Sequence, residues 1–141
     1  YLPRVSIKYD ADAVSNIVTE YIDGERRVIL VVEDDAQIQE IIEAFLKRFN
    51  FEVISVFDAH EALKILETKP VFAVFSDIMM PGEINGIQLA ETVRKNHKNV
   101  FVGLITGFDD PSEDVLAMSF PILKKPFTID TLQQFINIAL K

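Results

Sequence analysis

The sequence predicts an α/β sandwich built around a parallel sheet, and three observations carry that reading. Five short runs rich in β-branched residues recur at 28–32, 53–57, 71–75, 100–105 and 120–123. Most are apolar throughout rather than alternating, as strands covered on both faces are. A helical pattern follows each run, so strand and helix alternate five times, the order that builds a doubly wound sheet. Right-handed crossovers then put helices on both faces.

The elements follow in order. Residues 1–27 carry Gly24, scattered charges and no sustained period, and read as a linker or the tail of an upstream domain. Within them Val14, Ile17, Val18, Tyr21 and Ile22 fall at helical spacing. After the first strand, Ile38, Ile41, Ile42, Phe45, Leu46 and Phe49 make one apolar stripe. Further helices are expected at 59–67, 87–96, 110–118 and 128–140, the last with Leu132, Phe135, Ile136, Ala139 and Leu140 on one side. Asp58 and Thr128 stand where N-caps belong, and Asp35 caps or opens the first helix. Pro70, Pro81, Pro111, Pro121 and Pro126 fall near element boundaries, as do Gly82, Gly86 and Gly107; Gly103 alone falls inside a strand.

Composition narrows the function. The chain of 141 residues has 22 acidic and 14 basic side chains, a formal charge of −8. That balance argues against direct binding to nucleic acid or an anionic membrane, both of which favour basic patches. The absence of cysteine excludes disulfides, thiolate catalysis and Cys-based metal sites. His60 lies on an expected helix and His97 at the end of another, and both read as surface residues. No apolar run approaches the roughly 18 residues of a membrane span, so a soluble, cytoplasmic protein is expected. No G-x-G-x-x-G or Walker A loop follows the first strand, which removes a nucleotide-binding reading.

Ligands of open α/β sheets bind beyond the carboxyl ends of the strands. There the sequence places Glu33, Asp34 and Asp35, then Asp58, Asp77 after Ser76, Thr106, and Lys124 with Lys125. Singly, each is an ordinary polar loop residue. Together, three carboxylates on adjacent strand ends repel one another and need a compensating charge. A lysine and a hard cation supply it, and Mg²⁺ takes one or two carboxylates and a phosphate. The set reads as Mg²⁺-assisted phosphoryl chemistry.

At these residues the sequence resembles the receiver domains of two-component response regulators. The resemblance covers 28–141 and rests on Val31-Val32-Glu33-Asp34, Asp77-x-x-Met80-Pro81, Thr106-Gly107 and Lys125-Pro126-Phe127. It implies a flavodoxin-like sheet of order 2-1-3-4-5. It also implies that Asp77 is the phosphoacceptor, and that Glu33, Asp34, Asp77 and the backbone carbonyl of Met79 hold Mg²⁺. Lys125, before a cis proline, would pair with a phosphoryl oxygen, and Thr106 would close onto the phosphoryl group. Lys124 reads as a solvated neighbour, and Met79 and Met80 as loop packing. The phosphoryl donor would be a histidine kinase or histidine phosphotransfer domain, in cis or in trans.

The family pattern is not matched everywhere. Ile122 stands where the family's switch aromatic usually lies. The stretch from Thr106 to Lys125 is short, and Gly86 comes one residue late after Asp77, so 81–85 carries an insertion. Tyr1-Leu2-Pro3-Arg4 resembles the closing strand of a histidine kinase ATP-binding domain, which implies a hybrid kinase; the alternative is a response regulator with an N-terminal extension. An Asp-nucleophile phosphohydrolase would begin an Asp-x-Asp pair, whereas Ile78 and Met79 follow Asp77. A phosphorylation-independent interaction module would have no use for the full acid set, Thr106 and Lys125.

Overall fold

The structure, a computed structural model, describes residues 22–80, 82–107 and 119–141. The Tyr1-Leu2-Pro3-Arg4 motif, the helical spacing from Val14 to Tyr21, Pro81, Pro111 and the helix expected at 110–118 lie outside the described residues.

β1 (Val28–Val32), β2 (Glu52–Val56), β3 (Ala73–Asp77), β4 (Phe101–Thr106) and β5 (Ile122–Lys124) form one sheet in the order β2-β1-β3-β4-β5. Every neighbouring pair is parallel, with Val31 opposite Phe75 and Phe75 opposite Gly103. This is the order the resemblance implied. Among the described residues the helices are α1 (Ala36–Arg48), α2 (Ala59–Thr68), α3 (Gly86–Asn96) and α4 (Ile129–Leu140).

Strand side chains alternate between two apolar layers, which is why the strands are apolar throughout. Leu30, Val32, Val74, Val102 and Leu104 face α2 and α3, meeting Ala62, Leu66, Leu89 and Val93. Ile29, Val31, Ala73, Phe75 and Ile105 face α1 and α4, meeting Ile42, Leu46, Leu132, Phe135 and Ile136. Gly103 belongs to the second layer: the Phe135 ring lies against its Cα and leaves no room for a Cβ. Phe135 also packs on Phe75, with ring centroids 4.8 Å apart.

Each helix opens on a side-chain cap. Asp35 accepts from Gln37 and Ile38, Asp58 from Glu61, and Asn85 and Thr128 make reciprocal capping boxes with Gln88 and Thr131. No helix among the described residues is long and apolar enough to cross a membrane.

Three details differ from the sequence reading. β2 is an edge strand that stops at Val56, and Phe57, expected within it, is exposed. Ile41, placed on the α1 stripe, is also exposed, because the buried line of that helix runs through Gln39, Ile42 and Leu46. Met80 packs on the core while Met79 stands out in solvent.

Residues 22–27 fall on the tail side of the boundary drawn in sequence, yet they lie against the sheet's amino-terminal end. Ile22 is buried in the α1–α4 layer. Gly24 N–H donates to Phe49 O and Arg26 N–H to Asn50 O, both at 2.7 Å. Arg27 stacks over the Phe72 ring at 4.5 Å. Glu25 and Arg26 both have positive φ, 53° and 61°, and Arg27 N–H closes the turn onto Gly24 O at 2.9 Å.

Candidate functional site

The carboxyl ends of β1, β3, β4 and β5 converge on one rim. β1 stops at Val32, and Glu33 continues it, donating its N–H to Val56 O at 3.1 Å. The Glu33 side chain is buried; Oε2 accepts from Asp35 N–H at 3.1 Å. Asp35 in turn caps α1, so one residue both fixes the helix start and steers Glu33. Asp34 between them is exposed.

Asp77 is the last residue of β3 and is buried. Its Oδ1 accepts from Met79 N–H at 3.3 Å, and its carbonyl accepts from Ser76 Oγ at 3.0 Å. The peptide behind it is fixed by Ile78 N–H to Ile105 O and Gly86 N–H to Ile78 O, both 2.9 Å. Gly86 approaches the Asp77 carbonyl so closely that no Cβ fits there. This is the close-approach use of glycine.

Lys125 follows β5 and is tied to β4 by its N–H to Thr106 O at 2.8 Å. The Lys125–Pro126 peptide is cis. Lys125 Nζ lies 3.1 Å from Asp77 Oδ2 and 3.1 Å from Glu33 Oε1. The contact to Asp77 is a hydrogen bond. The contact to Glu33 is an ion pair without hydrogen-bond alignment, so the buried Oε1 has no hydrogen-bond donor. Thr106 is fully buried, and its hydroxyl donates to Gly107 O at 3.3 Å.

Electrostatics follow from this crowding. Burial, and then the negative Asp77, push the Glu33 carboxyl up to about 7, against the opposing pull of the Asp35 N–H and Lys125. Burial works to lower Lys125, but the carboxylates of Glu33 and Asp77 outweigh it and hold the ammonium above its ordinary range.

The sequence-derived residues therefore divide. Glu33, Asp34, Asp77 and Lys125 are brought together. Met79 meets Asp77 through its N–H, and Thr106 is tied to Lys125 by its carbonyl while its hydroxyl bonds to Gly107 O. Asp58 caps α2, Lys124 is exposed, His60 is exposed on α2, and His97 closes α3. Among the described residues, Glu33, Asp34 and Asp77 offer ligand oxygens within 4.8 Å of one another. The donors are all hard oxygens, and one buried oxygen lacks a hydrogen bond. Both features fit a hard divalent cation.

Sequence reasoning missed Gln39. Its Nε2 donates to Glu33 O at 3.2 Å and to Val56 O at 3.0 Å. The available signal was an amide on the buried side of an otherwise apolar stripe.

Comparison with known proteins places this rim in context. A family model described as the response regulator receiver domain matches residues 29–137. A putative response regulator NtrX-like from Rickettsia bellii is 34% identical over 108 residues, covering 74% of this chain and 23% of that protein. The chain thus spans about a quarter of that relative's length. The response regulator TrrA from Thermotoga maritima, solved in complex with Mg²⁺-BeF, superposes with a TM-score of 0.73 at 28% identity, covering 80% of this chain and 98% of that one. A structure of the histidine kinase ThkA in complex with TrrA superposes with a TM-score of 0.72 at 28% identity, covering 82% of this chain and 99% of that one. From β1 to α4, in sequence and in strand order, this chain belongs to the response regulator receiver domain family of two-component signalling.

Proposed function

We propose that the domain is a phosphorylatable switch in which Asp77 accepts a phosphoryl group from a phosphohistidine. The donor is a histidine kinase or histidine phosphotransfer domain, in the same polypeptide or another; the ThkA–TrrA complex supports a kinase as partner. An Asp77 carboxylate oxygen attacks phosphorus in line. The P–N bond breaks, the imidazole leaves with the bonding pair and takes a proton from water, and an aspartyl phosphate forms.

One observation carries this reading: a buried aspartate at a central strand end, 3.1 Å from a lysine, with two further acids in ligand range. Glu33, Asp34, Asp77 and the Met79 carbonyl would hold Mg²⁺, which when bound offsets the charge shared by acceptor and phosphoryl oxygens. Lys125 then binds a phosphoryl oxygen, exchanging one anionic partner for another. Thr106 supplies a hydroxyl from β4 once its bond to Gly107 breaks. Beside Lys125 an apolar hollow of about 460 Å³, lined by Ile38, Ile41, Gly107, Pro126 and Phe127, offers the donor a surface close to the acceptor.

Acetyl phosphate with Mg²⁺ should give a single phosphoryl adduct by intact-mass spectrometry. Asp77→Asn should abolish it. Asp34→Asn should weaken Mg²⁺ binding, and Lys125→Ala should leave metal binding intact while impairing the phosphorylated conformation. An adduct that persists in Asp77→Asn would overturn the assignment.

A further inference from the structure

We propose that Gln39 is a positioning residue for the metal site, setting the direction of the loop that carries Glu33 and Asp34. The proposal rests on reading that loop as metal-binding. Gln39, Ile42 and Leu46 are the buried residues of α1, and their spacing of three and four puts them on one face. Gln39 is the polar member of that line.

Its amide reaches back to two carbonyls, Glu33 O at 3.2 Å and Val56 O at 3.0 Å. Val56 O also accepts Glu33 N–H at 3.1 Å. Glu33 is therefore held at both of its backbone polar groups, one by the end of β2 and one by α1. The carbonyl that Gln39 holds belongs to the Glu33–Asp34 peptide. The orientation of that peptide sets the directions of both flanking side chains. Glu33 has a further restraint in Asp35 N–H, whereas Asp34 is exposed and takes its direction from the backbone beneath it.

An apolar side chain of equal volume at position 39 would leave Glu33 O buried without a donor. The peptide would then turn toward another donor, and Asp34 would turn with it. Groups that orient metal ligands typically affect affinity by about 10–100-fold when removed.

The test is Mg²⁺ titration of the whole chain by calorimetry, comparing wild type, Asp34→Asn and Gln39→Met. The expected result is an Mg²⁺ Kd raised about 10-fold or more in Gln39→Met. A residue that only stabilised the fold would lower Tm and leave Kd unchanged. Should Gln39→Met not fold, hydrogen exchange on wild type decides. The Gln39 side-chain amide protons should exchange far more slowly than those of exposed Gln37. Wild-type Mg²⁺ affinity in folded Gln39→Met, or equal exchange at Gln39 and Gln37, overturns the inference. If wild type and Asp34→Asn both fail to bind Mg²⁺, the metal reading itself falls, and this inference with it.

Discussion

Glu33 shows how one buried carboxyl ties stability to pH. Its folded-state value of about 7 lies above the ordinary 4.5, so between those limits the folded form holds a proton that the unfolded chain releases. The stabilisation from this group is complete below pH 4.5 and is lost as pH rises through 7. In metal-free buffer, Tm should therefore fall between about pH 5 and about pH 8, and Glu33→Gln should flatten that slope. Adding Mg²⁺ at the upper pH should restore stability, because a ligand that binds only the folded form stabilises it. A Tm that rises over this interval in wild type would show that Glu33 is ionised throughout. The same residue explains why Lys125 is doubly paired. Its ammonium compensates Asp77 and Glu33 together, so Lys125→Ala leaves two buried acids facing each other, and its metal-free form should depend more steeply on pH than wild type.

At the level of elements, the contact between α4 and β4 is made by removing a side chain. Gly103 lets the Phe135 ring lie directly on the strand, next to Phe75. Gly103→Ala should cost about 1–3 kcal/mol in chemical denaturation, the usual range for overpacking a core. Phe135→Leu should suppress most of that cost, and additivity of the two changes would mean the ring is not the obstacle. The elements themselves were legible because burial on both faces removes the polar alternation of strands. Their ends were not, for a functional reason. The apolar run at 71–75 points to a strand that stops short, whereas β3 continues through Ser76 to Asp77. β4 likewise runs into Thr106. The polar residues that make the site break the apolar pattern inside the strands that carry it. For Gln39 the spacing showed only an amide on the buried side of the stripe; its partners, two backbone carbonyls, leave no trace in side-chain spacing. The caps at Asp58 and Thr128 were readable because a cap bonds only within its own first turn.

Across the whole molecule, the acids and the lysine meet at one end of the sheet and the chain enters at the other. The family match begins at residue 29, but the packing begins no later than Ile22. A polypeptide starting at Val28 should be less stable than one starting at Ile22 by about 2–4 kcal/mol. It loses a buried isoleucine and the bonds from Gly24 and Arg26. Equal guanidinium midpoints for the two would show that residues 22–27 contribute nothing. Their turn keeps two non-glycine residues at positive φ, which the unfolded chain avoids, so the bonds and the Arg27–Phe72 stack must outweigh that cost.

The two ends of the sheet share one part. α1 is capped at one end by Asp35, in the acid loop, and at the other by Phe49, whose carbonyl receives the Gly24 N–H. Thirteen residues at about 1.5 Å each make a rod about 20 Å long. Its first turn grips the Glu33 peptide through Gln39, and the two residues that follow the helix, Phe49 and Asn50, accept the N–H groups of Gly24 and Arg26. The helix that starts beside the acid loop is therefore the same one whose far end receives residues 22–27.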